Sequence, residues 1–299
     1  MRIAVVLLAL GLLGPAGAQG VVRTADVNVR GLKPADFPRV QRLATNVYTF
    51  EQIDPTKRTV TVNNLIVVSD AGVLVAEGQG TEANVNLLIA AIRQLTPQPI
   101  RYVVVGSEHG DHTGGDAAFG SGVTFLVHPT SKPAVERRLR GPIETVADAR
   151  VVRLGAAEVD VRFLGRAHTG GDLAVYLPAE RILFMSEVFS NRIFPSMANG
   201  YPSEWIETLK KAEQLEPAWF VPAHGFVDSA AILKEEERTY RAAIERIVSE
   251  GRRLHDRGVD VENATASAVL EPFDAWTRAG NNAYQAIKRV YLELDGGLR

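Results

Sequence analysis

Ser107-Glu108-His109-Gly110-Asp111-His112-Thr113-Gly114-Gly115 follows almost directly on the apolar run Tyr102-Val103-Val104-Val105. Two histidines and an aspartate fall within four residues. Side chains this close converge on one divalent cation when the backbone leaves the strand in a tight loop. Gly110, Gly114 and Gly115 are expected to supply the dihedral freedom of that loop. The stretch reads as a zinc-type hydrolytic centre at the C-terminal end of a strand, where α/β proteins place their sites.

Upstream of this stretch, residues 47–50, 59–62 and 64–68 alternate or run as strands, and 73–76 follows a turn at Asp70-Ala71-Gly72. Val85, Leu88, Ile89, Ile92 and Leu95 recur at helical spacing within 82–96. Downstream, 123–127 reads as a strand and 132–140 as a short helix. Residues 151–154 and 159–164 form a hairpin around Gly155-Ala156-Ala157, and 173–177 with 181–185 another, turning at Pro178-Ala179-Glu180. A helix over 203–215 takes Ser203 as its N-cap. A strand at 219–221 precedes a long amphipathic helix over 229–257, and helices around 263–270 and 282–294 close the chain. Strands then helix, twice over, imply two sheets packed face to face with helices outside: a four-layer αββα sandwich with a helical C-terminal extension.

Three further residues share the placement of the histidine cluster. His168 lies in the glycine-rich loop Gly165-Arg166-Ala167-His168-Thr169-Gly170-Gly171-Asp172, between two strands. Glu187 ends the run Leu183-Phe184-Met185-Ser186-Glu187, and His224 follows a strand in Pro222-Ala223-His224-Gly225. A sheet sandwich can bring all these loops to one edge. His128 and His255, outside such motifs, read as structural histidines.

The pattern resembles the metallo-β-lactamase fold superfamily over roughly residues 45–230, with four motifs in the right order. That resemblance implies an αββα sandwich with a metal site on one edge, and zinc as its metal. It assigns His109 and His168 to one metal position and Asp111, His112 and His224 to the other, with Glu187 where the family often has a bridging aspartate. Two departures stand out. Ser107 replaces the first histidine of the signature, and Glu187 is one methylene longer than the aspartate. One tight zinc and a weak or empty second position are therefore expected. In such a site the metal supplies an activated water, Asp111 orients that water as the catalytic residue, and Thr113, Thr169 and Asp172 are candidates to hold the ligating imidazoles.

Composition narrows the function classes. Of 299 residues, 46% are hydrophobic and 23% charged, which suits a soluble protein with a real core. The net charge of −2 carries no basic excess of the kind nucleic-acid binders show. Met1-Arg2, an apolar run over 3–13 and Ala16-Gly17-Ala18 read as a signal peptide over 1–18, too short to span a bilayer. The chain then divides into an irregular segment over 19–44, a metallo-β-lactamase-like domain over 45–230 and a helical extension over 231–299 packed on it. The absence of cysteine removes thiolate nucleophiles, Cys-ligated zinc and iron–sulfur clusters. The reading is an exported zinc-dependent hydrolase, periplasmic or secreted, acting on a small molecule such as a β-lactam, lactone, thioester or phosphoester. It has no nucleic-acid partner and no membrane association after signal cleavage. The loss at Ser107 motivates the alternative, a periplasmic metal-binding accessory protein without hydrolytic activity. Specificity is assigned to loops around 50–60 and 189–202, with Arg192, Phe194 and Tyr201 as candidate substrate contacts.

Overall fold

The computed structural model describes residues 20–298. The signal-peptide reading over 1–18 lies outside them. The first sheet has seven strands in chain order: β1 (Arg39–Ala44), β2 (Val47–Ile53), β3 (Thr61–Ser69), β4 (Gly72–Ala76), β5 (Ile100–Val105), β6 (Thr124–Val127) and β7 (Ile143–Thr145). β1 to β4 pair antiparallel, whereas β4 to β7 pair parallel, with α1 (Glu82–Leu95) forming the crossover from β4 to β5. The second sheet holds β8 (Ala149–Leu154), β9 (Ala157–Phe163), β10 (Leu173–Leu177), β11 (Ile182–Phe184) and β12 (Trp219–Val221), ordered β12-β11-β10-β9-β8.

Strand periodicity explains the layering. In β5, Val103 and Val105 face the core under α1 while Val104 faces the second sheet; in β4, Val73 and Val75 divide from Leu74 and Ala76 in the same way. Successive side chains of a strand point to opposite faces, so a strand apolar at every position is buried on both. On the far side of the second sheet lie α4 (Pro202–Gln214), α5 (Ala230–Asp256), α6 (Val261–Ser267) and α7 (Ala279–Leu294). Trp205, Tyr240, Ile244, Ile287 and Val290 join the inter-sheet residues in one continuous core. The C-terminal helices therefore share the core of the sandwich.

Several local expectations are corrected. Residues 39–44, within the segment read as irregular, form the edge strand β1. None of its positions is buried, so it carries no alternation to detect. The runs 59–62 and 64–68, read as separate, merge into the one strand β3 over 61–69, with Thr59 and Val60 left in the loop before it. The helix over 132–140 is confined to α3 (Lys132–Val135). Beyond it, Arg137 and Arg140 would repel at i,i+3 spacing, and Arg138 reaches away to donate to Thr113 Oγ1 at 2.7 Å. Helix α4 begins one residue early, with Pro202 in its first turn, and Ser203 donates to Glu293 Oε2 at 2.7 Å instead of capping.

Candidate metal centre

β5 delivers the chain into Gly106-Ser107-Glu108, and His109 then caps α2 (Gly110–Thr113), a single turn that presents Asp111 and His112. Gly114 and Gly115 serve close packing, not unusual dihedrals. Gly114 and Gly115 have ordinary φ values of −61° and −98°. What requires them is close approach: a Cβ on Gly115 would lie 2.2 Å from the carbonyl oxygen of Thr81, and one on Gly114 would lie 2.4 Å from that of Gly80. The pair thus lets the α2 turn press against the entry to α1.

The other loops arrive as the motifs suggested. His168 sits between β9 and β10, Glu187 in a 3-10 turn after β11, and His224 just past β12. His224 pairs by isolated bridges with Val62 of β3 and with Ser190. All six metal-ligand candidates meet in two groups. Asp111, His112, Glu187 and His224 form one; His109, His168 and Glu187 form the other; the ligand atoms of each lie within 4.8 Å of one another.

Glu187 joins the groups through its two oxygens. Oε2 lies 2.8 Å from His109 Nδ1 and 3.1 Å from His168 Nε2, while Oε1 lies 3.3 Å from His224 Nε2 and 3.6 Å from His112 Nε2. Asp111 Oδ2 stands 3.4 Å from His224 Nε2. Ser107 takes no ligand-like position: it is fully buried and its hydroxyl donates to Glu187 Oε2 at 2.6 Å. The serine that replaces an imidazole is thereby a support for the longer acidic residue. Ser107→Ala is expected to weaken zinc affinity about tenfold without abolishing binding, as loss of a ligand's hydrogen-bond partner does. Competition with a chromophoric chelator measures this; an unchanged affinity would remove the serine from the metal site.

The imidazoles are oriented by groups that the sequence motifs did not mark. His224 Nδ1 donates to the carbonyl of Thr61 at 2.7 Å, leaving Nε2 to face the cluster. His112 Nδ1 lies 2.7 Å from Glu77 Oε2, and its Nε2 faces the cluster too. Glu77, at the end of β4, has a left-handed φ of 66° and accepts from Ser186. Thr169 and Asp172 bond to each other, Thr169 Oγ1 donating to Asp172 Oδ1 at 2.8 Å, and so shape the His168 loop. Thr113 donates to the His109 carbonyl at 2.9 Å and holds the turn, not a ring. His128 stacks on Phe163 and His255 lies 3.0 Å from Asp295, both structural as expected.

Charge in the cluster is balanced tightly. Burial works against the ionised form of Asp111, yet His112 and His224 hold its carboxyl far below the usual range. Glu187 is likewise driven well down despite burial, by His168, His112 and His109. His112 is pushed well up, with Glu77, Asp111 and Glu187 outweighing its desolvation. Burial pushes Asp172 up to about 6, with His168 opposing. Carboxylates facing imidazoles in this way demand a cation at the centre, supplied by protons or by a divalent ion. Nitrogen and carboxylate-oxygen donors with fixed tautomers fit zinc.

The cluster opens into a cavity of about 100 Å3. Lys57, from the β2–β3 loop, reaches into it to pair with Asp111, 3.3 Å from Asp54. Val60, Ile193, Phe194 and Tyr240 line it, together with Arg278 and Asn282 from the C-terminal extension, which no motif announced. Of the proposed contacts in the 189–202 loop, Phe194 lines the cavity. Arg192 turns away to Glu236 and over Trp276, and Tyr201 packs under Arg166 and Arg289.

Comparison with known proteins agrees with this geometry. The chain is 22% identical to a type 2 metallo-beta-lactamase of Bacteroides fragilis over 225 residues, covering 72% of this chain and 90% of that one. It is 24% identical over 168 residues to the alpha subunit of 2,4-dinitroanisole O-demethylase from Nocardioides sp. (strain JS1661). That match covers 54% of this chain and spans about half the length (51%) of the subunit. Among solved structures, a metallo-beta-lactamase from Pontibacter korlensis superposes with a TM-score of 0.60 at 22% identity, over 68% of this chain and 98% of that one. The one from Erythrobacter litoralis superposes at 0.58 and 19%, over 68% and 95%. The profile of the metallo-beta-lactamase superfamily matches residues 59–224, which run from just before β3 to the last histidine of the cluster. The sandwich, the ordered motifs and this match over more than half of its length agree, and the chain belongs to the metallo-beta-lactamase superfamily.

Proposed function

We propose that the protein is an exported zinc-dependent hydrolase acting on a small molecule in the periplasm or outside the cell. The observation that carries the reading is the Glu187 carboxylate, whose two oxygens serve two histidine groups at once. Asp111, His112, Glu187 and His224 would hold one zinc tightly; His109 and His168, sharing only Glu187, would hold a second weakly. Zinc there supplies water activation, lowering the pKa of water from about 15.7 toward about 7, and polarises a carbonyl or phosphoryl oxygen. The chain's own groups do the rest. Asp111, kept ionised, accepts a hydrogen bond from the attacking water and fixes its direction. Lys57 places a cation beside Asp111 at the cavity mouth. Val60, Ile193 and Phe194 exclude bulk water from the substrate side.

The neighbours named as β-lactamases support hydrolysis in general, and the O-demethylase subunit beside them shows that relatives of this fold act on different substrates. Among the described residues no helix is long and apolar enough to cross a membrane. The test is elemental analysis of the mature chain, residues 19–299, purified without chelator, followed by a panel of β-lactams, lactones and phosphodiesters. At least one zinc per chain and turnover of one substrate class are expected. A chain that takes up no metal even after incubation with zinc would overturn the reading and leave an accessory scaffold.

A further inference from the structure

Residues 22–32 precede the first strand and lie outside the stretch that matches the family profile. They close on themselves. Asp26 Oδ1 accepts from Asn28 N at 2.8 Å, Arg30 N donates to the Asp26 carbonyl at 2.9 Å, and Leu32 N donates to the Val27 carbonyl at 3.0 Å. The segment is docked on three loops of the metal edge. Val27 N donates to the carbonyl of Thr59, in the β2–β3 loop, at 2.8 Å. Ala25 has no exposed surface and forms a small apolar cluster with Val60 of that loop and Ile193 of the loop beyond Glu187. Val60 and Ile193 both line the cavity.

Two arginines pin the segment. Arg30 pairs with Asp228, just beyond His224, and lies over the Phe226 ring at 4.4 Å. Arg23 donates to Glu236 Oε1 at 2.5 Å, and the same buried oxygen accepts from Arg192, the neighbour of Ile193, at 2.9 Å. Charge-assisted bonds to carboxylates this deeply buried fix geometry as well as hold it. The β2–β3 loop is stiff in its own right. Asp54 N donates to the Val60 carbonyl at 3.0 Å, and Asp54 Oδ1 accepts from Thr56 N at 2.7 Å and Lys57 N at 3.0 Å. A displacement of Thr59 and Val60 is thus passed on to Lys57, the partner of Asp111.

We propose that residues 22–32 are a strap that presses the β2–β3 loop against the metal cavity, with Arg23, Ala25 and Arg30 as its positioning residues. Access to the histidine cluster then depends on a segment outside the family-matched domain. The apolar wall is set from behind, because Ala25 fixes how far Val60 and Ile193 stand into a cavity of about 100 Å3. The strap goes beyond the hydrolase reading and needs no assumption about the reaction.

Native trypsin digestion of the mature chain tests the strap. Arg58 is exposed, and cleavage after it requires Thr59 and Val60 to leave the strap. Arg153 on β8, its side chain 77% exposed in the other sheet, is the control site. The double variant Arg23→Gln/Arg30→Gln, and separately Ala25→Glu, are expected to speed cleavage after Arg58 at least about tenfold while leaving Arg153 unchanged. Arg23→Lys/Arg30→Lys, which keeps both charges, is expected to restore most of the resistance. In zinc-loaded protein the first two variants are also expected to release zinc to a chromophoric chelator faster than wild type. Cleavage after Arg58 that does not change, or that rises equally at Arg153, would overturn the proposal. So would unaltered zinc release from variants whose loop has opened. A chain that takes up no zinc sinks the hydrolase reading alone, and cleavage after Arg58 then decides the strap.

Discussion

Glu187→Ala is expected to abolish binding of a second zinc, to weaken the remaining site at Asp111, His112 and His224 at least about tenfold, and to slow hydrolysis at least about 10^3-fold. The size of the effect follows from position. Most ligands of a two-group site serve one group, but Glu187 reaches both, through Oε2 to His109 and His168 and through Oε1 to His112 and His224. Its removal leaves His109 and His168 as a pair, too few for a stable zinc site, and strips the other group to Asp111, His112 and His224. The same variant takes a buried negative charge away from imidazoles whose protonated form it favours, so the remaining histidines shed their protons at lower pH and the proton competition with metal moves to lower pH. Circular dichroism separates metal loss from misfolding, because Glu187 sits in a turn at the sheet edge and not among the inter-sheet apolar residues. Glu187→Asp, one methylene shorter and out of reach of the Ser107 hydroxyl, should keep one zinc and lose the second. Zinc content in Glu187→Ala equal to that of wild type would show that the carboxylate is not a shared ligand.

How far the site could be read from the residues divides cleanly by locality. His109, Asp111 and His112 share one turn, and His168, Glu187 and His224 each follow a strand in a loop of distinctive composition, so local pattern singles out the six side chains that the structure brings together. Glu77 was missed because its role depends on pairing across strands: nothing in Val75-Ala76-Glu77-Gly78 announces that β4 ends beside His112. Arg278 and Asn282 lie at the start of a helix more than fifty residues beyond His224, and only the docking of α7 on the 189–202 loop puts them at the cavity. The fold followed the same rule. Stretches buried on both faces, such as β4 and the Val103–Val105 end of β5, announce themselves by unbroken apolar runs, whereas the edge strand β1 has no fully buried position and is silent. The role of Ser107 required a distance. As a sequence feature it reads as a lost ligand, and only the 2.6 Å bond to Glu187 shows that the two departures from the family pattern are coupled.

Glu237→Gln is expected to stabilise the protein by about 2–4 kcal/mol at pH 9 while changing little at pH 5. Glu237 lies on α5 with no solvent exposure. Burial, reinforced by the neighbouring carboxylate of Glu213, pushes its pKa from 4.5 up to about 8. The nearby cation cannot relieve it: Arg241 donates to Glu213 Oε1 at 2.7 Å and to Glu245 Oε1 at 2.5 Å. The folded chain therefore binds this proton more tightly than the unfolded chain. A raised folded pKa gives stability that is fully present below the unfolded value near 4.5 and is lost as pH climbs through about 8. Glutamine keeps the shape and carries no charge at any pH, so the variant escapes that loss. Urea unfolding of both proteins between pH 5 and 9 should give curves that nearly coincide at pH 5, separate steadily up to about pH 8 and keep a constant gap above it. Parallel curves would mean that Glu237 is ionised in the folded state and finds its counter-charge in Arg241 or Arg238, the two cations that oppose its shift.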